Sequence, residues 1–307
     1  MCGQCMTVRT ARLRYCLSCG NRTGPARPGE PEPPRFPSLQ NWQLVSRIKE
    51  DDLWVSYSVA HAHLGIEAIG RMLTDGPFGV LSENQDRFLR GAQLAASLRH
   101  LHIATCFDAG EDGEGHSYRI DEHWGDDLDV WVEKCRPSPE MIAAIGAQVA
   151  SALVAIHRAD VLHGDVVPAR IEIRDGTAKL GVFDFGLIMR EMALIPHKRG
   201  GTIVGVIGLM AREAVFSQAE SASDVYQLGA TLYYALTGQY PYSGETIEAG
   251  IVHMMGSSVV PLRDHRIDLA EEWYMLLDAM LSRDVEGRPT AEEAQSRLEE
   301  LSRLRAL

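Results

Sequence analysis

Four cysteines and two aspartates are the residues whose spacing suggests chemistry. Cys2 and Cys5, ten intervening residues, then Cys16 and Cys19 followed by Gly20 make two CxxC pairs. Each pair can put two thiolates on one ion, and two such knuckles complete the tetrahedral S4 shell of a structural zinc ribbon. That shell leaves no open position, so the metal would fold the segment rather than act on a substrate. Reactive or disulfide-bonded thiols are the alternative, which suits a reducing compartment poorly. Zinc on Cys2, Cys5, Cys16 and Cys19 is therefore the expectation. Cys106 and Cys135 fall in apolar or helical contexts and read as small buried hydrophobes.

The carboxylates are Asp165, in His163-Gly164-Asp165-Val166-Val167-Pro168-Ala169-Arg170-Ile171, and Asp184, in Asp184-Phe185-Gly186, nineteen residues further on. Two such groups can serve metal or nucleotide chemistry. They can equally be structural acceptors for loop amides or for the guanidinium of Arg170, and the second reading is preferred. The histidines form no HxxxH or HxH-plus-acid cluster of a metal enzyme, and His61 and His63 read as solvated residues alternating along a strand edge. Met254 and Met255 sit at helical core spacing and need no cofactor.

These residues need a scaffold, and three zones supply the frame: a cysteine-rich head at 1–23, a linker at 24–38 and one large domain at 39–307. The stretch 24–37 holds six prolines and reads as semi-extended. Beyond it, Trp42–Ile48, Val55–Ala60, Glu67–Leu73 and Ser117–Glu122 have strand character, while Gln85–Leu98 is helical in period. From Ser138-Pro139-Glu140 onward helices dominate. That tripeptide supplies an N-cap, an N1 proline and a first-turn acid for a helix reaching about Arg158. A second apolar helix, Asp224–Leu236, is closed by Gly238, and Thr290 with Glu293 forms a capping box for the last. A strand-rich small lobe followed by a helical large lobe is the expected α+β arrangement.

The net charge of −12 is uneven: residues 1–29 carry five arginines and no acid, which leaves a formal −17 for the rest. An acidic body argues against nucleic-acid binding by the main domain, and only the basic head would offer such a surface. No run of about 18 apolar residues is evident, so no membrane span is expected. With no apolar h-region near Met1, a cytoplasmic location is the default expectation.

The loop around Asp165 resembles the catalytic loop of protein kinases, HRDLKPxNI, and Asp184-Phe185-Gly186 resembles their metal-binding DFG at the usual separation. Gly201-Thr202 and Ala211-Arg212-Glu213 resemble the marks that end an activation segment. Ser223-Asp224-Val225-Tyr226-Gln227-Leu228-Gly229 is similar to the central helix of the large lobe. Arg288 matches the late arginine that pairs with the glutamate of the APE motif. Five marks in order over about 130 residues are specific. The resemblance, to bacterial serine/threonine kinases, covers roughly 41–305 and implies their two-lobed fold.

Position by position, the chemistry implied by the resemblance is missing. The three glycines of the phosphate loop fall on Lys49, Asp51 and Trp54. The third-strand lysine of VAIK falls on Gly70, and Arg71, one residue on, points to the other sheet face. The helix glutamate that orients that lysine falls on Gly91. In the catalytic loop, the γ-phosphate lysine is Val167 and the second metal-binding asparagine is Arg170. The arginine that clamps an activation-loop phosphate is Gly164. Asp165 stays at the base position and Asp184 at the metal position, while the scaffold residues His163, Phe185, Asp224, Glu213 and Arg288 are kept. Arg170 is expected to pair with Asp165 or Asp184 in place of a metal's charge. The resemblance thus implies a pseudokinase, with ATP and magnesium not expected. It would scaffold or regulate partner proteins, a true kinase among them. The alternative is a weak or atypical kinase or nucleotidyl transferase that uses Asp165 and Asp184.

Overall fold

The computed structural model describes residues 39, 41–50, 54–73, 82–113, 115–181, 208–215, 219–242, 247–256 and 258–304. The four head cysteines, the linker, Asp51, Asp184-Phe185-Gly186 and Gly201-Thr202 lie outside the described residues, as do the side chains of Lys49 and Trp54. The chain divides into two units, one of residues 1–97 with 105–123 and one of 98–104 with 124–307.

The first unit is a sheet with one helix. Strands β1 (Trp42–Glu50), β2 (Trp54–His61), β3 (Glu67–Leu73), β4 (Cys106–Glu111) and β5 (Ser117–Glu122) run in the order β1-β2-β3-β5-β4, all antiparallel neighbours. Helix α1 spans Ser82–Ser97. Alternation along the strands sends Val55, Tyr57 and Val59 of β2, Ala68 and Met72 of β3 and Ile120 of β5 into one apolar cluster, joined by Trp42. The other face carries Arg71, Arg119 and Asp121, and the Arg119 guanidinium lies 5.5 Å from the Phe88 ring centroid of α1. Strand β4, half-buried in strict alternation, is the one strand of this sheet that the sequence reading omits.

The second unit is helical around a small sheet. Strands β6 (Asp126–Asp127), β7 (Ile171–Arg174) and β8 (Thr177–Leu180) pair in that order. Helices α2 (Leu128–Cys135), α3 (Pro139–His157), α4 (Arg212–Val215), α5 (Ser221–Thr237), α6 (Ile247–Gly256), α7 (Leu262–His265), α8 (Glu271–Met280) and α9 (Ala291–Ser302) complete the described part. Ser138 caps α3 by accepting from the Met141 amide at 3.3 Å. Thr290 and Glu293 exchange the two bonds of a capping box on α9. Helix α5 ends on Gly238 in the left-handed conformation at φ 71°.

The core of this unit is α3 against α5 and α9. A Cβ at Gly146 of α3 would press on Leu232 and Leu298, so the missing side chain sets how closely the three helices approach. By length and mean hydropathy α3 could cross a membrane, a possibility that the search for one continuous apolar run passes over. Of its 18-residue window 61% is buried inside the protein, as in the core helix of a packed domain.

Three sequence expectations change. Cys135 is exposed although it shares a helix face with Leu128 and Trp131, because it is the last residue of α2. His63 lies in the turn after β2 rather than along a strand edge. His61 Nδ1 accepts from the amides of His63 and Leu64 at 3.2 and 3.3 Å, so it serves as the local turn cap. Met254 is fully buried, but its neighbour Met255 is 36% exposed.

Candidate functional site

In the helical unit the loop 163–170 hangs from α5. Asp224 Oδ1 accepts from the Gly164 amide at 2.7 Å, and its Oδ2 accepts from the His163 amide at 2.9 Å and meets His157 Nε2 at 2.8 Å. One turn later Gln227 accepts from the Val166 amide at 3.0 Å and donates to the Gly164 carbonyl at 3.2 Å. Thr231 Oγ1 donates to the Val166 carbonyl at 2.8 Å. Positions 224, 227 and 231 recur at helical spacing, so one face of α5 satisfies the loop's buried backbone.

His163 is fully buried, and its two nitrogens have opposite roles. Nε2 donates to the Gly181 carbonyl at 3.2 Å, and Nδ1 accepts from the Asp165 amide at 3.2 Å. Only the neutral ring can do both. Burial pulls its pKa below the ordinary range despite the opposing carboxylates of Asp224 and Asp165.

Asp165, at the position of a catalytic base, is held by Arg170. Arg170 Nε donates to its Oδ2 at 2.7 Å, with side chains 17% and 8% exposed. The 3-10 turn Pro168–Arg170 folds the arginine back on the carboxylate, and Pro168 at its first position suits that turn. The guanidinium has no lone pair for a metal. Of the two partners expected for Arg170, the structure gives Asp165, and Asp184 lies outside the described residues. Gly164 has φ 75°, a conformation in which an L side chain is strained.

The scaffold pair is in place. Arg288 meets Glu213 through two nitrogens, at 2.6 and 3.2 Å, and Ser223 Oγ donates to the same carboxylate at 2.7 Å. Burial would raise the Glu213 pKa, but the bonds from Arg288 and Ser223 outweigh it and hold it below the usual range. The Arg288 guanidinium also lies 4.9 Å from the Tyr226 ring centroid.

In the sheet unit Gly70 is buried opposite Tyr57 on β2 and Ile120 on β5, inside the face that carries the apolar cluster. Arg71 points to the other face, the one on which Phe88 of α1 lies, and so to the side of the sheet that faces the helix of Gly91. There its Nη1 lies 2.7 Å from Asp121 Oδ2, and Arg119 Nε reaches the same oxygen at 2.9 Å. Sequence reasoning missed this cluster. Its signal was the Arg-x-Asp alternation in Ser117–Glu122, which puts both residues on one face of a strand. Gly91, at the glutamate position of α1, is buried. Nearby, burial and then Asp121 push the Cys106 thiol up to about 12, which makes it an inert thiol.

Known proteins share this fold. The protein kinase domain model matches residues 79–297. A probable serine/threonine-protein kinase of Corynebacterium efficiens is 31% identical over 231 residues, covering 71% of this chain and 35% of that protein. Serine/threonine-protein kinase PknL of Mycobacterium tuberculosis is 33% identical over 164 residues, covering 52% of this chain and 40% of that protein. PkaB of Streptomyces coelicolor is 29% identical over 266 residues, 79% of this chain and 62% of that protein. The chain therefore spans about two fifths or less of the first two relatives. Among solved structures, Rad53 in complex with AMP-PNP has a TM-score of 0.67 at 21% identity, over 86% of this chain and 66% of that one. The PknI kinase domain of Mycobacterium tuberculosis has a TM-score of 0.64 at 21% identity, over 85% of this chain and 96% of that one. The strand-rich and helical units are those of a kinase-like fold, and the chain belongs to the protein kinase domain family.

Proposed function

We propose that this chain is a pseudokinase that scaffolds or regulates other proteins, a true kinase among them, without ordinary phosphoryl transfer. The observation that carries this reading is the Arg170–Asp165 pair. Phosphoryl transfer needs a free base and metal ligands at this loop, together with a cation on the third strand. Here a guanidinium holds the carboxylate, and the third-strand cation Arg71 is tied to Asp121. Losing one preorganised charge typically costs ~100- to 1000-fold in rate. The retained contacts of Asp224, Gln227, Glu213 and Arg288 all serve the fold.

A cytoplasmic location belongs to the same proposal, as does a structural zinc on Cys2, Cys5, Cys16 and Cys19, whose all-thiolate donor set suits that ion. Metal analysis of the full chain should return one zinc per chain, and substituting Cys16 and Cys19 with Ser should remove it. A second reading, a weak or atypical serine/threonine kinase or nucleotidyl transferase, is favoured by the names of the relatives and by the retained Asp165 and Asp184. Incubating the full chain with radiolabelled ATP, magnesium or manganese and generic protein acceptors separates the two. Label transfer equal to that of Asp165→Asn is expected. Transfer that Asp165→Asn abolishes would establish the second reading.

A further inference from the structure

At one end of the sheet unit the two edge strands meet. Trp42 opens β1, Phe107 lies near the start of β4, and their rings stack at 6.0 Å with 24° between planes. His61 meets the Trp42 ring edge-on at 5.0 Å. Together with Asn41, Leu64, Ile66 and Asp108 these residues line a groove of about 360 Å³. Leu64 is 66% and Phe107 39% exposed, so the groove shows apolar surface to solvent.

Its chemistry is selective. Trp42 is buried and backs the exposed Phe107 ring, and that ring beside a carboxylate suits a guanidinium, which stacks on the ring and bonds the acid at once. The Tyr118 phenol already hydrogen-bonds Asp108, but a carboxylate accepts at about four lone-pair sites. Strand β4 continues into further acid, Glu111 and Asp112, with no basic residue between Asp108 and Asp112.

The described chain begins at this groove. The Leu39 carbonyl accepts from the Trp42 amide at 3.4 Å, and Leu39 packs against the apolar cluster that includes Trp42. Immediately before it come the proline-rich linker and residues 1–29, with arginines at 9, 12, 14, 22 and 27 and no acid. A proline-rich linker of this length reaches on the order of 40 Å at about 3.1 Å per residue, enough to turn back on its own anchor. Tethering also raises the local concentration of those arginines to about millimolar.

We propose that the groove formed by Trp42, His61, Leu64, Phe107 and Asp108 is a docking site for an arginine of the chain's own segment 1–29. The inference does not depend on the pseudokinase reading. It makes the basic head a ligand of the domain.

The test is photo-crosslinking of the full chain with a benzophenone amino acid in place of Leu64, and in place of the exposed Leu101 as a control. A within-chain crosslink to a peptide from 1–29 is expected from position 64 and not from 101. The Asp108→Lys change should lower its yield by up to about fivefold, the factor for a partly exposed charge pair. Asp108→Asn, which keeps the shape, should lower it in the same direction if the lysine variant folds poorly. Raising salt from about 0.05 M to about 0.5 M should do likewise. A crosslink from position 64 to a second copy of the chain, to a different segment or to nothing would overturn the proposal. So would a yield indifferent to both Asp108 variants.

Discussion

Behind the sheet, Asp121 takes two guanidiniums on one oxygen, with Arg119 at 1% exposure and Arg71 at 11%. In the loop under α5, Asp165 takes one, from an Arg170 that is 17% exposed. Both arginines, Arg71 and Arg170, stand at or beside positions where the family resemblance places a group that handles ATP. The first lies one residue beyond the expected lysine position, and the strand's alternation puts it on the face where α1 lies, away from Gly70, Tyr57 and Ile120. The second stands in the loop itself and bonds Asp165. One charge is therefore a buried structural tie, while the other is a partly solvated partner of the loop's carboxylate. The first tie should matter most to stability, and the second to what the loop can bind.

The largest expected effect follows from burial. Asp121→Ala leaves two guanidiniums beside an emptied site and should destabilise the chain by about 3–5 kcal/mol, the usual cost of breaking a buried pair from one side. Denaturant unfolding checks this, and a loss below about 1 kcal/mol would mean that the cluster is not a tie at all.

The loop has its own buried constraint in His163. Its folded pKa lies below the unfolded value of about 6.5, so the unfolded chain binds more protons as pH falls past that value. Its contribution is fully present above about pH 6.5 and is lost on acidification, at up to about 1.4 kcal/mol per pH unit. In His163→Gln that slope should flatten between about pH 6.5 and 5 in urea-unfolding series. Glu213, held below its usual range, contributes separately: its share is present above its ordinary value and is lost only as pH falls below it.

Arg170→Asn should cost less than Asp121→Ala, about 1–2 kcal/mol, because the pair is partly solvated and Asp165 can rehydrate. An equal or larger loss would erase the contrast between the two sites. Smallest of all, Gly164→Ala should cost about 1 kcal/mol through left-handed backbone strain. A neutral result there would mean that the loop relaxes, and that an arginine could be restored at this position without strain.

Much of this was legible in the sequence because the signals are local. Ser138-Pro139 and the Thr290–Glu293 box name their helix starts, and the loop motif places Asp165 five residues before Arg170, close enough for a turn to join them. Position 170 was readable as an arginine facing one of two aspartates, and geometry was needed to choose Asp165. Of the Asp121 cluster only the Arg119 half was legible, since the other partner, Arg71, lies 50 residues away and only strand pairing brings it in. The meeting of Trp42 with Phe107 was hidden for the same reason, because it depends on the two edges of one sheet converging.

The most direct measurement is thermal unfolding of the full chain with and without millimolar ATP and magnesium or manganese. With Arg170 on Asp165 and Arg71 tied to Asp121, no shift is expected with either metal. A ligand at 100 times its dissociation constant would stabilise the fold by about 2.7 kcal/mol, a displacement of the transition that is easily seen. A metal-dependent shift that disappears in Asp184→Asn would contradict the reading of Arg170 as the cover on a disused site.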